Sequence, residues 1–174
     1  MGCSSLAPDS FKGSLTTLEV ANSIEKGIKN IIKDVDIVKI PIADGGEGTV
    51  EALVLATNGR YEEAYVVGPL GKRLKAKYGI LDEHISVIEM AATSGLTLID
   101  KDKLDVLSTT TYGTGELVKI AMEKGYRKIY VGLGGSCTND GGVGFAQALG
   151  VSFGQQKYPT IVLYIIMKHL RLIL

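Results

Sequence analysis

Hydrophobic positions recur along this chain with two alternating periods. Leu18, Ala21, Ile24, Ile28 and Ile31 follow one another at helical spacing, and Thr16-Thr17-Leu18-Glu19 ahead of them has the form of a capping box, which predicts an amphipathic helix ending near Lys33-Asp34. Val38, Ile40 and Ile42 alternate with Lys39 and Pro41 and predict a short strand. A second helix is expected from about Val50, with Val50, Leu53 and Val54 on its apolar face and Asn58-Gly59 as its stop. Residues 60–67 and 74–81 alternate apolar and polar side chains around Gly68-Pro69-Leu70-Gly71, the pattern of a hairpin. A buried strand over 85–90, a helix over 116–124 closed by Gly125, and a strand at Lys128-Ile129-Tyr130-Val131 complete the series. Strands that alternate with helices predict an α/β protein with a largely parallel sheet, the hairpin adding a mixed part or a second subdomain.

Glycine and polar residues concentrate where these elements join. Residues 132–144 hold six glycines around Ser136, Thr138, Asn139 and Asp140, directly after a strand. Such a loop brings backbone N–H groups close to an anion, and Asp140 adds a carboxylate for a metal or a phosphate; a tight turn whose glycines serve only packing is the competing reading. Two more loops couple glycine with acid: 7–14, with Asp9, Lys12 and Gly13, and 44–49, with Asp44, Gly45, Gly46, Glu47 and Gly48. Ligands of open α/β sheets bind outside the carboxyl ends of strands, so the three loops are expected to converge on one crevice suited to a phosphorylated ligand and its Mg²⁺. Each residue has a plainer alternative: Lys12 as a solvated lysine, Asp44 as a helix cap, and the same ambiguity for Glu47, Glu89 and Asp140.

Composition removes several function classes. The 174 residues are 45% hydrophobic, and Lys plus Arg balance Asp plus Glu at 19 each, without a basic stripe, so nucleic acid is not an expected partner. Cys3 and Cys137 have neither disulfide-framework nor metal-ligand spacing and read as free thiols in a reducing cytosol; His84 and His169 are too few for a triad or a zinc site and read as surface residues. The first residues lack the regions of a signal peptide, Leu6 replaces the Ser or Thr of a myristoylation site, and residues 161–167 are too short an apolar run to span a membrane. A cytoplasmic protein is therefore expected. Gly71-Lys72-Arg73 does not complete a P-loop, and Cys137 stands where a dinucleotide fingerprint needs its third glycine.

Six segments taken in order, 7–14, 41–49, 67–71, 89–96, 111–116 and 134–142, resemble the motifs of type-1 glycerate kinases. The resemblance covers about residues 7–154. It implies transfer of the ATP γ-phosphoryl group to D-glycerate with Mg²⁺, giving 2-phosphoglycerate, in a Rossmann-like parallel-sheet domain plus a second α/β domain with the site between them. Residues 1–65 would belong to the first domain, 66–154 to the second, and 155–174 to a tail outside the pattern. The resemblance further implies that Asp44 or Asp140 holds Mg²⁺ or orients the glycerate hydroxyl and that Lys12 neutralises phosphate or carboxylate. Gly134, Gly135, Ser136, Thr138 and Asn139 would cradle the nucleotide, and Asp9, Ser10, Gly45, Gly46 and Glu47 would meet the substrate. Family members begin with a hydrophobic strand and are considerably longer, so the polar first six residues leave the first strand missing or displaced. Both domains are expected to be incomplete, and the chain a truncated kinase, poorly stable and inactive alone. Two alternatives remain: a non-catalytic nucleotide- or anion-binding module, and a non-binding fragment that associates through its apolar tail.

Overall fold

The computed structural model describes residues 2–11 and 14–153. Lys12, Gly13 and the tail from Gly154, His169 included, lie outside the described residues, so the expectations placed on them are not addressed by the fold. The elements are β1 (Gly2–Leu6), α1 (Thr17–Ile31), β2 (Val35–Lys39), α2 (Thr49–Thr57), β3 (Arg60–Val67), β4 (Arg73–Asp82), β5 (Ile85–Glu89), α3 (Ala91–Ser94), α4 (Tyr112–Glu123), β6 (Lys128–Gly132) and α5 (Val143–Ala148). They form two sheets. β1 and β2 pair in parallel, and β3-β4-β5-β6 form a four-stranded sheet in which only the β5–β6 pair is parallel.

The first sheet departs from the expected pattern. β1 exists despite Ser4 and Ser5, because its ladder to β2, from Gly2 opposite Val35 to Leu6 opposite Lys39, uses backbone groups that need no apolar side chains. That register also places β2 three residues earlier than its alternating side chains suggest. Pro41 has no N–H to extend the ladder, and Val38, Ile40 and Ile42, whose alternation predicts the strand, are each about half exposed. α1 starts with the expected capping box: Thr16 Oγ1 accepts from Glu19 N–H, and Glu19 accepts from Thr16 N–H. It buries only Thr17, Val20 and Ala21, leaving Ile31 86% exposed, since two strands offer too little surface for its whole apolar stripe.

The larger sheet has helices on both faces. On one face Val66, Ala76, Tyr78, Ile80 and Ile88 pack against Leu117, Val118 and Ala121 of α4. On the other, Val50 and Val54 of α2 meet Val87, over Gly79, where a β-carbon would lie 2.6 Å from a Val54 methyl. α2 thus packs on the larger sheet. The hairpin matches its expected register, from Arg60 opposite Ile80 to Val67 opposite Arg73. Glu62 fastens it to the end of α4: its carboxylate meets Lys124 and accepts from the hydroxyls of Tyr78 and Tyr126, and the Lys124 ammonium chiefly lowers its pKa from 4.5 to about 2.

Candidate functional site

The loop over 132–144 is closed by close packing. Gly134 N–H donates to Gly45 O at 2.9 Å, and a β-carbon on Gly132 would sit 2.4 Å from that same oxygen, while one on Gly134 would sit 2.7 Å from Gly46 Cα and N. Glycine at both positions lets two backbones touch, which no other residue permits. Thr138 N–H donates to Ser136 Oγ, so two amides of the expected cradle, those of Gly134 and Thr138, already have protein acceptors, and the neighbouring Cys137 N–H donates to Ser94 O. Burial pushes the Cys137 thiol pKa up. Cys137 and the exposed Cys3 are both free thiols.

Asp140 is the centre of this closure. Its Oδ2 accepts from Thr111 N–H at 2.8 Å and Gly144 N–H at 3.2 Å, its Oδ1 from Gly142 N–H at 3.0 Å, and Thr111 Oγ1 lies within 3.0 Å of both oxygens. One carboxylate therefore caps the N-termini of α4 and α5, neither of which has a cap from its own N-cap side chain. Thr111 Oγ1 in turn accepts from Phe145 N–H. With its oxygens so engaged, Asp140 is a joint between the starts of two helices. Asn139 and Gly135 are exposed on the outer side of the loop.

A cavity of about 610 Å³ opens instead between the entrance of α1, the start of α2 and the larger sheet. Ser10, Phe11 and Ser14 line one side, Glu47, Gly48 and Glu51 another, and Glu89, Tyr61 and Lys77 the sheet side. Of the three loops expected to converge, two meet here, and 132–144 reaches the cavity only indirectly, through its backbone contact with Gly45 and Gly46. Asp9 Oδ1 holds Ser10 N–H at 2.6 Å, and Asp44 Oδ1 holds Gly46 N–H at 2.9 Å, an Asx turn that shapes the approach to Glu47. Among the described residues no three acids, histidines or cysteines group as a metal site.

Glu89 emerges at this site, where sequence left it ambiguous. It ends β5, is 8% exposed, and its Oε1 accepts from Val50 N–H at 2.5 Å. Burial pushes its pKa above 4.5, the amides of Val50 and Gly48 oppose that, and the charges of Glu47 and Glu51 add to it. Its position at a strand's carboxyl end was the available signal. Lys77, whose ammonium lies 3.7 Å from the centre of the Tyr61 ring, had no such signal, because only the hairpin register and the packing of α2 bring it to the cavity.

Helices on both faces of an open sheet, with a cavity at a strand's carboxyl end, make this an α/β protein with a candidate ligand site where such folds place one. A sequence profile of the glycerate kinase family matches residues 5–168, and the chain belongs to that family. The match runs past residue 154, where the resemblance read from the sequence ends. The chain is 54% identical to a glycerate kinase of Haemophilus influenzae over 147 residues, 84% of this chain and 39% of that protein. It is 53% identical to a glycerate 2-kinase of Escherichia coli over 146 residues, 83% of this chain and 38% of that one. A crystal structure from Salmonella typhimurium LT2, assigned as a glycerate kinase 2, superposes with a TM-score of 0.71 at 51% identity, covering 86% of this chain and 41% of that chain. The chain thus spans about two fifths of the length of the relatives it matches. Among the described residues no helix is long and apolar enough to cross a membrane.

Proposed function

We propose that this chain carries part of the ligand site of an enzyme that transfers the γ-phosphoryl group of ATP to D-glycerate, giving ADP and 2-phosphoglycerate. The observation that carries the reading is the cavity between the 9–17 segment and the start of α2, in which Ser10, Glu47, Glu89 and Lys77 face one space. The family membership and the glycerate 2-kinase among the relatives support both the reaction and the choice of hydroxyl.

In this reading Ser10, oriented by Asp9, and Glu47, set by the Asp44 turn, hydrogen-bond the hydroxyls of glycerate. Lys77 offsets anionic charge at the cavity wall. Lys12 has the same role in the proposal, and Phe11 and Ser14, which bracket it in sequence, line the cavity. The acceptor oxygen forms the bond to the γ-phosphorus as the bond to the β–γ bridging oxygen breaks, ADP leaves, and the hydroxyl proton passes to a carboxylate or to water. Such a reaction asks for position and charge compensation more than for covalent help from the protein. When bound with ATP, Mg²⁺ would offset the charge of the phosphates.

Titration calorimetry of the 174-residue chain with Mg–ATP and with D-glycerate, combined with ³¹P NMR of the mixture, tests the reading. Binding of either ligand, weakened by Glu47→Gln, supports it. Binding of ATP without any ADP formed favours a nucleotide-binding module, and 3-phosphoglycerate as product would reassign the hydroxyl. No binding of either ligand sinks it.

A further inference from the structure

α2 begins in an unusual way for a helix that borders a ligand cavity. Its N-cap, Gly48, is held at φ +93 and has no side chain to offer the first amides. The missing acceptor comes from 39 positions further along the chain, where Glu89, at the end of β5, takes the Val50 N–H. A carboxylate at this spot complements the helix dipole, and it also fills the place an anionic ligand would take at the N-terminus of α2. The residues around it are Glu47 and Glu51 on the α2 side and Tyr61 and Lys77 on the sheet, with Ser10, Thr17 and Glu19 across the cavity. No cation pairs with Glu89 among the described residues, so its hold on α2 is its principal contact.

We propose that Glu89 is a positioning residue: its carboxylate pins the turn of Gly48 and Val50 to the end of β5 and thereby sets Glu47 at the cavity wall. The proposal rests on the reading of the cavity as the glycerate and ATP site. The reach of Glu89 explains how a cavity wall built on a glycine-rich loop stays in place. Gly45 and Gly46 are fixed from behind by Gly132 and Gly134, and Gly48 and Val50 are fixed from the sheet by Glu89, so Glu47 lies between two anchored points.

The test compares Glu89→Gln, which keeps an acceptor oxygen, with Glu89→Ala, which removes it. Amide hydrogen exchange at Val50 and calorimetric affinity for Mg–ATP and D-glycerate are read at a temperature where every variant is fully folded. In Glu89→Ala, exchange at Val50 is expected to rise about tenfold or more and affinity to fall about tenfold, whereas Glu89→Gln stays within about threefold on both. Wild-type exchange at Val50 in Glu89→Ala overturns the proposal. So does an equal loss of affinity in both variants with Val50 still protected, which would make the carboxylate a direct ligand contact. If Glu89→Ala does not fold, Glu89→Asp replaces it, since the shorter side chain withdraws from Val50 while keeping its charge; parallel losses support the proposal and unchanged values overturn it. A wild-type chain that binds neither ligand sinks the functional reading alone, and exchange at Val50 still decides whether Glu89 holds the turn.

Discussion

Glu89 ends β5 and Asp140 sits in the loop after β6 of the same sheet, and both receive backbone amides from a helix N-terminus. Asp140 accepts from three amides and a hydroxyl, ties α4 to α5, and lies away from the cavity. Glu89 takes the amide of Val50 and faces the cavity. The glycines around them differ in the same sense. Gly132 and Gly134 exist to let two backbones touch, whereas Gly48 leaves the start of α2 without a cap of its own and so leaves that task to Glu89. The pair shows that a glycine-and-acid signature marks a sharply turned, tightly packed backbone first, and a ligand site only where the acid's neighbours also leave open space.

The largest test of this contrast is Asp140→Ala. Removing the shared acceptor leaves three amides and the Thr111 hydroxyl short of a partner, and urea unfolding is expected to show a loss of about 3 kcal/mol. A neutral effect on stability with loss of ligand binding would reverse the assignment of the two acids. Gly134→Ala comes next, at about 2 kcal/mol in the same measurement, because the new β-carbon meets Gly46 backbone that cannot step aside.

The pH dependence of stability separates the acids more finely. Glu89 is held above its ordinary 4.5, so the folded chain binds its proton more tightly than the unfolded one. Its contribution is full below pH 4.5 and is lost as pH rises through the folded value, a decline that Glu89→Gln should abolish in unfolding curves measured across that range. A wild-type curve with no such decline would show that the carboxylate is better solvated than its burial implies. The smallest stability effect is expected for Glu47→Ala, within about 0.5 kcal/mol, since the side chain is exposed. A larger loss would make Glu47 structural and weaken its assignment to the ligand.

Much of the architecture was legible because it rests on local rules. The capping box of α1, the Asn58-Gly59 stop of α2 and the hairpin about Gly68-Pro69-Leu70-Gly71 depend on neighbours in sequence, and each stands where its residues place it. β2 was misplaced because the alternation at Val38, Ile40 and Ile42 is not that of a buried face; pairing with β1, whose serines hide a strand, decides its bounds. Of the cavity, the sequence named Ser10 and Glu47 among its candidates, and both line it. Ser136 and Thr138 pair with each other two residues apart, whereas Asp140 takes Thr111 from 29 positions back, a contact that no local pattern names.

By itself, then, the sequence determined α1, α2, the hairpin, the α/β class and the family, because those depend on periodicity, on turn chemistry and on motifs read in order. Tertiary structure decided which glycine loop packs and which borders open space. It also placed Glu89, and not Asp140, among the residues that line the cavity. The physical reason is that an acid's role is set by how many donors surround it and by what volume it faces, and both come from segments far apart in the chain.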